Sequence, residues 1–162
     1  MAKRIDPAGY VVKCLEIIKQ HTIRTLSRLG IECVNYVRDR TPEDSWYDHT
    51  GNLRSSVGYM VLYNGKPVQQ GGFLPTTAPE GDGAKGQAEG EKFLQEKVAE
   101  VANDNSFALV IVAGMNYASK LEDLDNKNVL SGAYLFAKEE WRYLEMELQR
   151  EIENDINKLE IF

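Results

Sequence analysis

The sequence predicts an α+β fold: a small, mainly antiparallel sheet flanked by a long N-terminal helix and a long C-terminal helix. Three observations carry this. An apolar stripe at helical spacing runs through Val11, Leu15, Ile18, Leu26, Leu29, Cys33 and Tyr36/Val37. A second runs through Tyr134, Ala137, Trp141, Leu144, Leu148, Ile152, Ile156 and Leu159. Between them stand an alternating segment ending in Asn64-Gly65 and the run Phe107–Ala113, which is apolar on both faces.

Asp6-Pro7 opens the first helix, because Asp caps well and Pro suits the first helical position. The stripe carries it to about Asp39, roughly 50 Å, and Pro42 marks its end. Gly30 lies inside and is expected to be a weak point, unfavourable by roughly 1 kcal/mol relative to Ala. Asn52–Tyr63 reads as a strand, with Val57, Tyr59, Val61 and Tyr63 on one face and Ser56, Gly58, Met60 and Leu62 on the other. Asn64-Gly65 is a hairpin signal, and a short strand follows at Lys66–Gln70.

Gly65 to Gly90 holds seven of the chain's 13 glycines, with Pro75 and Pro79, and little to bury. It reads as a mobile loop or arm, a flexible insertion at about 65–90 in a single domain spanning 1–162. Glu91–Ala102 carries Leu94, Val98 and Val101 at helical spacing and predicts a short helix. Asn103-Asp104-Asn105 predicts a turn, Phe107–Ala113 a central strand covered on two sides, and Ser131 to about Leu159 the closing helix. The order contains no internal repeat.

Composition narrows the function classes. With 162 residues, 43% hydrophobic and 27% charged, the chain is long enough for one core and too apolar for wholesale disorder. A net charge of −6 argues against a general nucleic-acid binder or a binder of anionic membranes. No apolar run approaches the roughly 20 residues that cross a bilayer, and the N-terminal segment is broken by Lys13, Glu16 and Lys19, unlike a secretory signal. Cys14 and Cys33, on one helix, would lie roughly 28 Å apart, too far to bridge. They are expected to fill core in a reduced, cytosol-made protein.

Candidates for chemistry are few. Asp44, Asp48 and His49, with Asp39 and Glu43 nearby, offer a metal-assisted hydrolase site, but no HExxH or paired Cys/His spacing accompanies them. His21, within the first helix, is expected at the surface or its edge. The glycine-rich 81–90 stretch lacks GxxxxGK[ST] and is not a phosphate loop. Arg24, Arg28, Arg38 and Arg40, diluted by Glu32 and Asp39, read as a salt-bridged face. The last helix is acidic, with like-charge pairs Glu147–Glu151 and Glu151–Asp155. That face either solubilises the chain or meets a basic partner, which leaves a cytosolic protein-binding adaptor as a further alternative. No cofactor, no catalytic residue and no small-molecule substrate is indicated.

One stretch is more specific. Arg38-Asp39-Arg40-Thr41-Pro42 closes the first helix, and after a connector Thr50-Gly51-Asn52-Leu53-Arg54-Ser55-Ser56-Val57 enters the strand. Downstream come Val110–Ala113, Gly114-Met115-Asn116, Tyr117-Ala118 and, shortly after, Glu122, then a closing helix with Phe136-Ala137. In this order the segments resemble the head–tail joining and tail-completion (neck) proteins of long-tailed bacteriophages. The motif residues are Pro42, Thr50, Gly51, Asn52, Leu53, Arg54, Ser56, Tyr117, Ala118 and Glu122. The sequence departs from the pattern in a longer spacer containing Trp46 and Tyr47, in lacking the glycine after Glu122, and in lacking a proline before the last helix.

The resemblance implies a small α+β subunit with helices on a curved sheet, no catalysis, and a homo-oligomeric ring at the neck or top of the tail. It implies a virion component made in the bacterial host cytoplasm, with the phage connector or adaptor and tail-tube proteins as partners and DNA only as passing cargo. Trp46, Tyr47, Tyr59 and Tyr63 are candidate interface residues, since aromatics concentrate at interfaces. Glu147 and Glu151 are candidates for an acidic face lining the opening. The 65–90 arm is expected to dock on a neighbour.

Overall fold

The computed structural model describes residues 6–40, 47–123 and 129–159, excluding the side chains of Leu121 and Glu122. Its elements are α1 (Pro7–Arg38), α2 (Asn52–Ser55), β1 (Val57–Tyr63), β2 (Lys66–Gly72), α3 (Ala84–Val98), β3 (Phe107–Ala113), α4 (Ala118–Asp123) and α5 (Ser131–Asn157). The α+β class, the antiparallel sheet and both long helices are as the sequence predicts. Asp6 caps α1 as expected, its carboxylate accepting from the Gly9 amide at 2.6 Å.

The sheet has the order β2-β1-β3, antiparallel throughout. Alternation along β1 divides the core in two. Val57, Tyr59 and Val61 join Leu29, Cys33 and Val37 of α1 and Leu144 of α5 in one cluster. Met60 and Leu62 face the other way, packing with Phe73, Leu94 of α3 and Val112 of β3. The molecule is therefore layered, with α1 and α5 on one side of the sheet and α3 on the other. Positive φ at Asn64 (51°) and Gly65 (69°) makes the hairpin between β1 and β2.

Four sequence expectations change. Asn52–Ser55 is one helical turn rather than the start of the strand. The apolar run 107–113 is an edge strand, and β1 is the central one; β3 reads as central because helices cover both of its faces. The glycine-rich 65–90 stretch is not an arm in secondary structure: it contains β2, the buried Phe73 and the first half of α3, which starts at Ala84 rather than Glu91. Its glycines serve close approach. A Cβ on Gly86 would stand 1.9 Å from the Asn52 carbonyl oxygen, and one on Gly90 2.5 Å from that of Ser56. Gly30, fourth, is no weak point, since the Tyr59 ring lies where its Cβ would be, 2.4 Å away.

Cys33 is fully buried and its thiol is pushed up to about 11, chiefly by burial and further by Glu32, whereas Cys14 is only partly covered. Neither forms a disulfide. No described helix is long and apolar enough to cross a membrane.

Candidate functional site: a helix–strand joint and two uncovered apolar surfaces

The Thr50–Ser56 motif turns the chain from the end of α1 into β1. Gly51 sits at φ +72°, with the Thr76 carbonyl oxygen 1.8 Å from where a Cβ would project, so only glycine fits the turn. The Thr50 hydroxyl accepts from the Asn52 amide at 3.3 Å, and Asp48 caps α2 by accepting from the Arg54 amide at 2.8 Å. Asn52 ties in α3, its side-chain oxygen accepting from the Gly86 amide at 3.0 Å. Leu53 is fully buried, and the Ser56 hydroxyl donates to the Leu53 carbonyl at 2.7 Å.

Two arginines close the joint. Arg38 donates to the carbonyls of Arg54 (2.8 Å) and Leu74 (2.6 Å) and to the Thr76 hydroxyl (2.9 Å). Arg54 donates to the carbonyls of Arg38 and, at 2.5 Å, Arg40. Burial lowers the pKa of both guanidiniums, which Asp39 opposes in each case and Asp48 also opposes at Arg54. Tyr117 approaches the same joint; burial, then the charge of Asp48, raises its pKa, while a hydrogen bond with Thr50 lowers it. Ala118 is buried beside it in the main core. Pro42 lies outside the described residues, as does the Glu122 side chain. Every described motif residue thus contacts its own chain. Arg38, Ser55 and Thr76 belong to the joint as well, Ser55 Oγ accepting from the Thr76 amide at 2.7 Å.

The two described residues of the hydrolase alternative, Asp48 and His49, have separate partners. Asp48 is engaged in the cap, while His49 is exposed, lies edge-on to Tyr47 at 4.4 Å and has Nδ1 3.7 Å from Glu80. Asp44 lies outside the described residues. Among the described residues no group of three or more His, Cys, Asp and Glu side chains is placed to hold a metal ion.

The candidate acidic residues lie along the seam between α1 and α5. Glu147 is 3.5 Å from Arg28, and Glu151 is 3.3 Å from His21 Nδ1. His21 is buried rather than at the surface, because Asp155 (2.8 Å) and Glu151 meet it there. Lys158 first, and His21 second, hold the Asp155 carboxyl below the usual carboxylate range. The aromatic candidates separate. Tyr47 is exposed, Tyr59 is core at 2% exposure and offers no contact surface, and Tyr63 is half-buried against Phe107 (4.8 Å) beneath Lys19. Trp46 lies outside the described residues.

Sequence reasoning missed two surfaces. The pairs His21–Asp155 and Tyr36–Phe136 make α1 and α5 antiparallel, so α1 before His21 projects roughly 20 Å beyond the end of α5. There Val11, Val12, Leu15 and Ile18 are exposed, Leu15 at 61%. The signal was present: in Tyr10–Ile18 only Lys13 and Glu16 are polar, so the segment is apolar nearly all round, a pattern belonging to a covered helix. The second surface is an apolar groove of about 950 Å³ beside the outer edge of β3, walled by Leu26 and Leu29, Leu109 and Ile111, and Ala137 and Trp141. Tyr134, placed in the α5 stripe by spacing, is exposed on its rim.

Comparison with known protein families, with curated proteins and with solved structures finds no match.

Proposed function

We propose that this chain is a non-enzymatic structural subunit of a long-tailed phage virion, of the head–tail joining or tail-completion kind. It assembles as a ring at the neck or the top of the tail. Its partners are copies of itself, the connector or adaptor and the tail-tube protein; DNA passes through as cargo. The chain is made in the host cytoplasm and ends in the particle.

The observation that carries this reading is the pair of uncovered apolar surfaces at separate places on one small subunit. Surfaces of that kind mark contacts with other protein. The motif that resembles neck proteins supports it in a second way, since its described residues hold the joint between α1, α2 and α3. Disrupting the gene in the phage or prophage that encodes it tests the reading. The expected result is DNA-filled heads and complete tails that do not join, or tails of irregular length; particles of normal form and infectivity refute it.

A further inference from the structure

The two edges of the sheet differ. β2 carries Lys66, Pro67, Gly71 and Gly72, and its pairing with β1 slips between Val61 and Leu62, features that keep an edge from taking a further strand. β3, Phe107–Ala113, has no charge, proline, glycine or register shift, and among the described strands it pairs with β1 alone. The ladder fixes which of its main-chain groups are spent. The Asn64 amide donates to the Ser106 carbonyl at 2.9 Å and the Gly114 amide to the Ser56 carbonyl at 3.1 Å, one beyond each end of β3. Antiparallel pairs alternate between bonded and unbonded, and this register is unbroken, so Ala108, Val110 and Val112 bond to β1. The amides and carbonyls of Phe107, Leu109 and Ile111 therefore point away from the sheet, where no main-chain hydrogen bond among the described residues meets them.

The apolar groove runs along this edge. Consecutive Leu109, Val110 and Ile111 line it, although their side chains alternate between the two faces, so an occupant meets main chain as well as side chains. A helix spends its own main-chain groups internally and would leave these unpaired, whereas an extended segment supplies partners for them. Charge adds a second requirement. Exposed Lys138 and Arg142 stand on the rim; Lys138 lies over the Tyr134 ring, and Arg142 has no ion pair or hydrogen bond among the described residues. We propose that the outer edge of β3 accepts an extended segment of another protein as a fourth strand. The main chain of that segment bonds to Phe107, Leu109 and Ile111. Every second side chain is apolar and enters the groove toward Leu26 and Trp141, and an acidic side chain at one end meets Arg142. The inference goes beyond the assembly reading and does not depend on it.

The probe is a synthetic peptide of about nine residues that alternates valine and threonine, with a glutamate at each end, its binding read by fluorescence anisotropy. A second peptide has the same side chains but a methyl on every main-chain nitrogen, so it cannot donate. The plain peptide is expected to saturate the chain and the methylated one to bind at least about tenfold more weakly. No saturation up to about 1 mM, or equal binding of the two, overturns the proposal. Leu109→Pro removes one outward amide and spares the ladder to β1, a change that edge strands tolerate. It is expected to weaken the plain peptide about tenfold relative to Leu109→Val, which controls for side-chain volume. Arg142→Glu alters an exposed side chain and leaves the fold intact. It is expected to reverse the preference for the glutamate-ended peptide over a lysine-ended one, by at least about threefold. An unchanged preference contradicts the proposal. Tighter binding of an alanine-rich amphipathic helical peptide would give the groove to a helix. Self-association that light scattering shows lost in Leu109→Pro would give the edge to a second copy. Either result overturns the proposal, while the assembly reading stands or falls separately on the gene disruption.

Discussion

Arg38 and Arg54 exchange hydrogen bonds: each guanidinium donates to the main-chain carbonyl of the other. The end of α1 and the entry to β1 are thereby clamped together. Two cations tolerate this proximity because carbonyl oxygens receive their protons and Asp39 and Asp48 supply opposing charge.

The clamp predicts that Arg54→Ala destabilises the chain by about 1–3 kcal/mol in urea unfolding, from half-buried carbonyls left without donors. Arg54→Lys restores little, because a single ammonium does not reproduce a fork that spans two carbonyls. A double-mutant cycle with Arg38→Ala gives a coupling of at least about 0.5 kcal/mol. Additive effects would mean that the two side chains act independently.

Gly30→Ala is expected to destabilise, although in an open helix it would gain roughly 1 kcal/mol. The added methyl meets the Tyr59 ring, which is itself held from the other side by Gly71, and overpacking of this kind costs about 1–3 kcal/mol. Tyr59→Leu in the same chain should relieve most of the clash. A thermal midpoint raised by Gly30→Ala alone would refute the packing argument.

Thiol labelling separates the cysteines. In native protein one equivalent of maleimide reacts, at Cys14. Cys33 reacts only after unfolding, because burial keeps it protonated and inaccessible. Rapid modification of Cys33 in folded protein would place an opening in the α1–α5 core.

Acid should loosen the far end of the α1–α5 seam. The folded-state pKa of Asp155 is depressed, so its contribution is complete above the unfolded value of about 3.9 and is lost as pH falls through the lower folded value. Melting curves between about pH 5 and pH 2 should show Asp155→Asn losing less stability than the unaltered chain over that window. Parallel pH dependence in the two proteins would remove Asp155 from the account.

The sequence makes α1, α5, the 64–65 hairpin and the two faces of β1 legible, because each rests on a period or a turn that local residues dictate. What it hides is set by tertiary contact. Glycines read as flexibility become close packing once Phe73 and Ser56 are placed against α3. His21 reads as a surface residue until Glu151 and Asp155, far along the chain, arrive beside it. The motif Thr50–Ser56 is visible as a turn signal, yet its hold on Arg38 and Thr76 is not. The apolar segment Tyr10–Ile18 is legible in the sequence, but that it is left uncovered shows only once α5 is seen to end close to His21.

The most direct measurement is negative-stain electron microscopy of the purified, concentrated chain, alone and with the tail-tube protein proposed as its partner. Class averages are predicted to show closed rings of one subunit number, seated on the end of the tube when the partner is present. Isolated particles of 18.3 kDa at every concentration, or two-fold dimers that ignore the tube, would contradict the account.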